Sequence, residues 1–252
     1  MTITIDATPT RLTITINRPH KRNAMTAAMW GAVKDAVEAE TGERLIILQG
    51  TGGIFCAGAD ISEFDSLRAN PQAVARYDEI SGGAYRALRA ARAPTLALID
   101  GDCMGGGLAM AAACDIRIAS GKARFAVPAA KLGLAYPPDA AADLVRLVGA
   151  GDAKWIFLTA EPIDAATALR MGLIQTLIDA DRFDADSAAL IDAIEAKARL
   201  TQIAAKSAVS AALGTGTVGQ AARDAQTCFE SDDYAEGRQA FRDKRKPNFT
   251  GR

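Results

Sequence analysis

The chain has 252 residues, of which 49% are hydrophobic and 23% are charged, and its formal net charge is −1. This balance is typical of one large globular domain with a small appendage, and it argues against nucleic acid or an anionic membrane surface as a partner. No apolar run approaches the roughly 18 residues of a membrane-spanning helix, and the N-terminal segment lacks a basic region followed by an apolar core. We therefore expect a cytoplasmic protein.

The histidine and cysteine content limits the possible chemistry. His20 is the only histidine, so a metal site built from several histidines is excluded. It lies in the polar turn RPHKRN, which favours a solvent-exposed side chain. The four cysteines are far apart and form no CxxC pair; they are Cys56, Cys103, Cys114 and Cys228. They are typical of small buried apolar residues in a reducing compartment. We expect no metal and no separate cofactor.

The first part of the chain alternates strand, turn and helix patterns. The periodicity predicts strands at Thr2–Ile5 and Leu12–Ile16, a helix at Ala24–Glu40, an apolar strand at Leu45–Leu48, a glycine-rich loop within Gly50–Phe64, and a helix at Pro71–Ala91. Asp60 is expected to be the N-cap of a short helix, with Glu63 completing a capping box. This loop would supply one set of backbone hydrogen-bond donors.

A glycine triplet, Gly105 to Gly107, follows the predicted strand Thr95–Ile99 and precedes a run of small apolar residues. The pattern predicts a strand, a tight turn and a buried helix. The first N–H groups of a helix lack intrahelical partners and carry the positive end of the helix dipole. The turn can therefore hold an anion or a developing oxyanion, although glycines that only permit close packing explain the triplet equally well.

The remainder of the chain becomes increasingly helical. The patterns predict strands at Asp115–Ala119, Ala123–Ala126 and Leu173–Ile178, a loop at Lys131–Pro138, and helices at Ala140–Val148 (ended by Gly149), Ala153–Leu158, Asp164–Met171, Ala185–Leu200, Thr201–Ala212, Thr217–Glu230 and Asp233–Asp243. We predict a core rich in strand–helix units over residues 1–180, whose repeated pattern would be compatible with a spiral of ββα turns, and a helical region over residues 181–252.

Short motifs occur in a specific order along the whole chain. They are Asn17-Arg18-Pro19, Asn23-Ala24-Met25, Phe55–Asp60, Gly105–Gly107 before Cys114–Arg117, Leu132-Gly133-Leu134, Arg146–Gly149, Ala165–Gly172 before a strand, and Arg245-Lys246-Pro247. In this order and spacing the motifs are highly specific, and the chain resembles the crotonase superfamily, the enoyl-CoA hydratase/isomerase family. The resemblance implies an α/β fold, a crotonase-type spiral of ββα turns with a C-terminal helical trimerisation region.

The resemblance also implies a ligand, an assembly and a site. The ligand would be an acyl-CoA thioester, with CoA as part of the substrate, bound by the core at residues 1–180; the chain would form a homotrimer or a dimer of trimers through residues 181–252. The thioester oxygen would lie between the backbone N–H groups of Ala59 and Gly106, which would stabilise an enolate. The implied substrate-binding positions are Lys21, Arg22, Ala57, Gly58, Asp60, Ile61 and Gly105.

The chain departs from typical hydratases at the two positions where they carry glutamates. Here these positions are Ala109 and Ala129, and alanine can neither deliver water nor transfer a proton. Two candidates remain in the loop before the helix at Ala140. Tyr136 could donate a proton, and Asp139 could act as a base, although Asp139 is equally well interpreted as a helix N-cap and Tyr136 as a packing residue.

Three functions stay open at this point. The first is an enoyl-CoA hydratase/isomerase-family lyase or isomerase that stabilises a thioester enolate. The second is a malonyl-type acyl-CoA decarboxylase that uses Tyr136, although such enzymes carry a histidine at the position of Ala59. The third is a catalytically silent CoA-thioester binder, which the two alanines at positions 109 and 129 would explain.

Overall fold

The computed structural model describes residues 2–42 and 44–251. The strands are β1 (Ile3–Ala7), β2 (Arg11–Ile16), β3 (Leu45–Gly50), β4 (Thr95–Ile99), β5 (Asp102–Met104), β6 (Ile116–Ser120), β7 (Arg124–Ala126), β8 (Ile163–Asp164) and β9 (Thr176–Ile178). The helices are α1 (Ala27–Glu38), α2 (Phe64–Leu67), α3 (Pro71–Ala90), α4 (Gly106–Ala113), α5 (Pro138–Thr159), α6 (Ala165–Arg170), α7 (Phe183–Glu195), α8 (Arg199–Ala212), α9 (Val218–Phe229) and α10 (Asp232–Asp243). Short 3-10 turns cover Pro19–Lys21, Ile61–Glu63 and Pro128–Leu132.

The strands form two sheets. The larger has the order β1-β2-β3-β4-β6-β9, in which β1 and β2 are antiparallel and the other pairs are parallel. The smaller has the order β5-β7-β8 and begins directly after β4 in the chain. From β4 onwards, a strand of the larger sheet is followed by a strand of the smaller sheet and then by a helix, first as β4, β5 and α4 and then as β6, β7 and α5. This confirms the expected crotonase-type spiral.

The larger sheet is covered on both faces, as the apolar strand at residues 45–48 predicted. Ile46 and Leu48 belong to the main core, which α1, α3 and α4 cover. Leu45 and Ile47 point the other way and pack in a second cluster with residues of α7. A strand buried on both faces needs apolar residues at consecutive positions, because neighbouring side chains alternate between the faces.

The helix break predicted at Gly149 is present. The segment Pro138–Thr159 consists of two helices that meet at a kink, because Gly149 has φ 75° and ψ 169°, outside the helical region. Glycine can adopt this conformation without the Cβ clash that other residues meet. The predicted loop before this helix is partly helical. Residues 128–132 form a 3-10 turn, and Pro138 is the first residue of α5.

The cap at Asp60 is confirmed, but the expected capping box is wrong. The Asp60 carboxylate accepts the N–H of Ser62 at 3.0 Å, as an N-cap does. The Glu63 carboxylate does not bond back to this turn. It accepts the N–H of Ala27 at 2.8 Å, the first residue of α1. A capping box needs a helical N3 geometry, whereas here the turn is a single 3-10 turn facing another helix start.

The C-terminal helices contact the core through ion pairs. Lys206 of α8 pairs with Asp115 at 2.7 Å, and Arg11 of β2 pairs with Glu195 of α7 at 2.8 Å. The division into a core of residues 1–180 and a helical region of residues 181–252 stays a prediction. No helix within residues 2–42 and 44–251 combines the length and hydropathy needed to cross a membrane.

The predicted environments of the histidine and the cysteines agree with the structure. His20 is exposed in the turn after β2. Cys56, Cys103 and Cys114 are buried free thiols, whereas Cys228 is only half-buried. Burial raises the pKa of the Cys56 thiol to about 12. This thiol therefore behaves as a small apolar core residue and stays protonated at neutral pH.

Candidate active site

A cavity of ≈ 130 Å³ lies between the two predicted glycine loops. Its walls come from α1, α3, both glycine loops and the loop before α5. They are formed by Trp30, Ala57, Gly58, Ala59, Ile61, Phe64, Arg68, Tyr77, Ser81, Tyr85, Gly105, Gly106, Val127, Pro128, Ala129, Leu132, Leu134, Ala135, Tyr136 and Pro137. The cavity thus combines a mostly apolar wall with a few polar groups, as small-molecule sites do.

Backbone hydrogen bonds hold the two glycine loops side by side. Cys56 donates its N–H to the carbonyl oxygen of Asp102 at 2.9 Å, and its own carbonyl oxygen accepts the Met104 N–H at 2.8 Å. Gly58, with φ 98°, lies so near the triplet that a Cβ built there would be 3.4 Å from the Gly106 nitrogen. The first loop can approach the second this closely because position 58 has no side chain.

Two backbone N–H groups on the cavity wall have no partner. Neither the N–H of Ala59 nor that of Gly106 donates a hydrogen bond within residues 2–42 and 44–251. Gly106 is the first residue of α4, so its N–H is one of the four that a helix leaves unpaired at its N-terminus. An unpaired backbone N–H at a helix N-terminus is a donor that can bind an oxygen carrying negative charge.

The glycine triplet is required by close packing as well. A Cβ built at Gly106 would lie 2.9 Å from the Tyr85 hydroxyl oxygen and 3.0 Å from the indole of Trp30. A Cβ at Gly107 would lie 2.6 Å from the carbonyl oxygen of Cys56. The contacts at 2.6 and 2.9 Å are closer than a Cβ tolerates, and the contact at 3.0 Å is tighter than most Cβ contacts. The two interpretations of the triplet, packing and anion binding, are therefore compatible, because tight packing places the free N–H of Gly106 at the cavity.

Two tyrosine hydroxyls flank the triplet. Tyr136 donates a hydrogen bond to the carbonyl oxygen of Gly105 at 3.2 Å. Tyr85 projects from α3 towards Gly106, and its ring packs edge-on against Trp30 with ring centroids 5.5 Å apart. Burial raises the pKa of both tyrosines well above the usual range, so both hydroxyls are protonated at neutral pH. They can donate protons, but they are poor bases.

The lining carries no carboxylate and no imidazole among the residues that the structure describes. Ala129 lies on the wall, and its methyl group occupies one of the two positions where hydratases carry a glutamate. Ala109, the other such position, is a buried residue of α4 with 1% exposure. The site can stabilise an anion and donate a proton, but its walls hold no ordinary general base.

Some predicted site residues lie outside this cavity. Asp139 is not on its wall; its carboxylate accepts the N–H of Ala140 at 2.9 Å in the first turn of α5. Asp60 is also absent from the wall, and its carboxylate pairs with Arg18 at 2.5 Å. Lys21 and Arg22 are exposed in the turn before α1, and Arg22 pairs with Asp102. The structure brings together Ala57, Gly58, Ala59, Ile61, Gly105, Gly106 and Tyr136.

The wall formed by α3 was missed by the sequence patterns. Tyr77, Ser81 and Tyr85 all line the cavity, and they are four residues apart on one face of the helix. Residues with this spacing share a helix face. The spacing of these three hydroxyl side chains could have identified them as one face of the helix. Arg68, between α2 and α3, carried no comparable signal.

Residues 9–252 match the family model described as enoyl-CoA hydratase/isomerase. A Mycobacterium leprae protein described as a probable enoyl-CoA hydratase is 33% identical, over 95% of this chain and 94% of its own length. The crotonyl-CoA hydratase of Syntrophomonas wolfei is 32% identical, over 93% and 92%.

Similarity to a solved structure agrees with these sequence matches. The crystal structure of an enoyl-CoA hydratase/carnithine racemase from Magnetospirillum magneticum superimposes with a TM-score of 0.93 at 34% identity, and the match covers 100% of this chain and 96% of that one. Both the sequence and the architecture match over nearly the whole length. The chain therefore belongs to the enoyl-CoA hydratase/isomerase family of the crotonase superfamily.

Proposed function

We propose that the cavity binds an acyl-CoA thioester and stabilises its enolate between the backbone N–H groups of Ala59 and Gly106. The observation that carries this proposal is the pair of unpartnered N–H groups on one cavity wall. The positive end of the α4 dipole reinforces the Gly106 donor. Relatives described as hydratases of enoyl-CoA and crotonyl-CoA support the thioester as the ligand class.

The proposed contacts assign roles to the other predicted positions. Ala57, Gly58, Ile61 and Gly105 line the cavity and would contact the thioester end of the CoA arm. Lys21 and Arg22 lie outside it, where exposed cations could meet the CoA phosphates. Asp60 would act indirectly, because its ion pair with Arg18 and its cap on the Ile61–Glu63 turn hold the loop that carries Ala59.

The thioester oxygen can be tested with a matched pair of ligands. Butyryl-CoA and S-butyl-CoA differ mainly in the carbonyl oxygen that the two N–H groups would bind. We expect calorimetry to show at least about tenfold weaker binding of S-butyl-CoA, since a hydrogen bond to a polarised oxygen is lost and two donors stay unpaired. Equal affinities for the two compounds would refute the oxyanion site.

Among reactions that pass through a thioester enolate, the cavity favours decarboxylation over hydration. Hydration requires a group that activates water, and the described lining holds no carboxylate or imidazole. In the decarboxylation of a malonyl-type thioester, the bond between Cα and the carboxylate breaks. Its electron pair enters the enolate, and carbon dioxide leaves. This step needs no base, only the stabilisation that the two N–H groups provide.

A proton donor completes this reaction. The enolate carbon takes a proton from the hydroxyl of Tyr136 or Tyr85, and the tyrosinate regains a proton from water. The raised pKa of both hydroxyls keeps the donors protonated before the reaction and makes the tyrosinate short-lived after it. An enolate carbon is basic enough to take a proton from a phenol even when burial raises the pKa of that phenol.

The reaction assay separates this proposal from its alternatives. We expect release of carbon dioxide from malonyl-CoA or methylmalonyl-CoA, and incorporation of one solvent deuteron at Cα in D₂O. Hydration of crotonyl-CoA without any decarboxylation would instead establish a hydratase with an unrecognised base. Tight binding of acyl-CoA without turnover of either compound would establish a silent thioester binder, which the alanines at positions 109 and 129 would explain.

We also propose that residues 181–252 form the contacts of a homotrimer or a dimer of trimers. Large apolar side chains are exposed on these helices in the single chain, including Phe241 at 87%, Val218 at 77% and Phe229 at 64%. Clusters of exposed apolar residues are typical of subunit interfaces. Light scattering coupled to size-exclusion chromatography measures the mass directly, and a monomer at micromolar concentration would contradict this proposal.

A further inference from the structure

An arginine lies on the otherwise largely apolar wall of the proposed acyl cavity. The guanidinium of Arg68 lies 4.8 Å from the ring centroids of both Phe64 and Tyr77. Its Nη2 donates to the carboxylate of Asp78 at 2.6 Å. Two aromatic rings and one carboxylate therefore fix the orientation of the cation before any ligand arrives.

Part of the hydrogen-bonding capacity of Arg68 is unused. Its Nε is buried and has no hydrogen-bond partner, and its Nη1 donates to no acceptor within residues 2–42 and 44–251. The side chain of Arg68 is 19% exposed, whereas that of its partner Asp78 is 42% exposed. The carboxylate thus stands on the solvent side of the pair, and the arginine forms part of the cavity wall.

Two aromatic side chains separate Arg68 from the proposed oxyanion site. The Trp30 indole packs against Gly106, and its Nε1 donates to the Tyr77 hydroxyl at 3.3 Å. The Arg68 guanidinium lies over the ring of that same tyrosine. An acyl chain that has its carbonyl oxygen at Gly106 and extends along Trp30 and Tyr77 would reach Arg68.

We propose that Arg68 selects acyl-CoA substrates that carry a carboxylate at the distal end of a short acyl chain. This inference rests on the proposed thioester site. An apolar chain filling the cavity would cover the guanidinium without offering an acceptor to its free donors, and a buried donor without an acceptor is unfavourable. A carboxylate offers two oxygens to the planar guanidinium, which can hold Asp78 with Nη2 and a second anion with its other N–H groups.

Calorimetry with matched ligands tests the selectivity. Glutaryl-CoA and hexanoyl-CoA have acyl chains of similar length, and only glutaryl-CoA ends in a carboxylate; adipoyl-CoA and heptanoyl-CoA repeat the comparison with a longer chain. We expect the wild-type protein to bind the better of the two carboxylate compounds at least about tenfold more tightly than its apolar match, as charge-assisted hydrogen bonds predict. Equal or weaker binding of both carboxylate compounds would overturn the proposal.

Two variants are expected to change this preference in opposite directions. Arg68→Gln removes the charge, so it should abolish the preference for the carboxylate compound over its apolar match. Asp78→Asn removes the competing anion and should increase the preference. Arg68→Lys keeps the charge without the planar fork, and we expect it to restore only part of the preference lost in Arg68→Gln.

The variants also separate the failure of this proposal from that of the thioester site. If neither carboxylate nor apolar acyl-CoA binds, the thioester site itself is wrong. If both bind and Arg68→Gln keeps the wild-type preference, Arg68 has only a structural role. Unfolding midpoints measured for every variant identify any variant that does not fold, and Asp78→Asn still tests the selectivity if Arg68→Gln is unfolded. An unchanged preference in a folded Asp78→Asn protein would also contradict the proposal.

Discussion

The Tyr136 hydroxyl and the Gly105 carbonyl oxygen are joined by a hydrogen bond of 3.2 Å. The donor lies in the loop before α5, and the acceptor begins the glycine triplet that leads into α4. This bond places a phenol beside the first turn of α4, where Gly106, whose N–H is free, lines the same cavity. The proposed proton donor and the proposed oxyanion site are therefore connected through one residue.

Tyr136→Phe tests the proposed proton transfer. We expect kcat for decarboxylation to fall by about 10²-fold or more, because general acid catalysis typically contributes this much, while the calorimetric Kd for butyryl-CoA changes little. Tyr234→Phe makes the same chemical change at a half-exposed position on α10, outside the cavity, and serves as the control. If kcat is unchanged in Tyr136→Phe, the proton comes from another group, and Tyr85→Phe becomes the decisive variant.

Substitutions in the triplet should damage function and stability separately. In Gly106→Ala the new Cβ would press on Tyr85 and Trp30, so we expect weaker acyl-CoA binding. In Gly107→Ala it would meet the Cys56 backbone at 2.6 Å, and we expect a loss of about 1–3 kcal/mol in the free energy of unfolding, typical of overpacking.

Gly31 on α1 provides the control for these glycine substitutions. A Cβ built there meets nothing within 4 Å. Gly31→Ala should therefore be neutral or should raise the free energy of unfolding by up to about 1 kcal/mol, since alanine favours a helix. Urea unfolding measures the free energy of unfolding of Gly106→Ala, Gly107→Ala and Gly31→Ala. A Gly107→Ala protein as stable as the wild type would show that the close contact with Cys56 is easily relieved.

We expect the ion pair of Asp60 to make the free energy of unfolding depend on pH in the acid range. Hydrogen bonds from Ser62 and then Arg18 lower the pKa of the Asp60 carboxyl from 3.8 to about 2. Because the folded state binds its proton less readily than the unfolded state, this stabilisation is present above pH 3.8 and is lost as the pH falls towards 2. Asp60→Asn should lower the free energy of unfolding at pH 7 more than at pH 3.

Asp65→Asn is the matched control for this pH dependence, since Asp65 is an exposed carboxylate five residues further along the chain. Urea unfolding at a series of pH values gives the difference between each variant and the wild type. A difference between Asp60→Asn and the wild type that stays constant from pH 7 to pH 3 would contradict the assigned ion pair. The same outcome for both variants would mean that the Asp60 carboxylate contributes no more than an exposed one.

Glu63 is expected to stabilise α1 rather than its own turn. Its carboxylate accepts the Ala27 N–H, one of the four that an α-helix leaves unpaired at its start. Glu63→Ala should lower the free energy of unfolding by about 0.5–2 kcal/mol, as the loss of an N-cap does. Glu38→Ala removes only an exposed pair with Lys34 and should change it by less than about 0.5 kcal/mol. Equal effects of the two substitutions would rule out the cap.

Local patterns predicted most of the elements correctly, and the misses have a common cause. Strand β5 (Asp102–Met104) was not expected, because its three residues form a strand only by pairing with β7 and with the loop at Cys56. The predicted start of α1 at Ala24 was early for a similar reason. Met25 bridges to Ala59, so the helix begins only after the N-cap Thr26. In both places a partner distant in sequence decides the backbone conformation.

The candidate site also has features that local sequence patterns predicted and features that depend on distant contacts. The glycine loops and the alanines at positions 109 and 129 were visible in the sequence, since glycine spacing and missing side chains are local facts. Which faces of the surrounding helices line the cavity was not visible in the sequence. Tyr85 lies at the triplet and Asp139 lies off the cavity wall because of how α3 and α5 pack against α4. Local periodicity gives a buried face of a helix, but not what lies opposite it.

The sequence by itself determined the family, most of the strands and helices, two glycine loops that each lead into a helical segment, and the absence of the two glutamates. These features depend on residue types and spacings along the chain. Only the tertiary structure decided that one cavity is lined by Ala59, Gly106, Tyr85, Tyr136 and Arg68. Such contacts join residues far apart in the sequence, and they arise when the helices bury their apolar faces against the sheet.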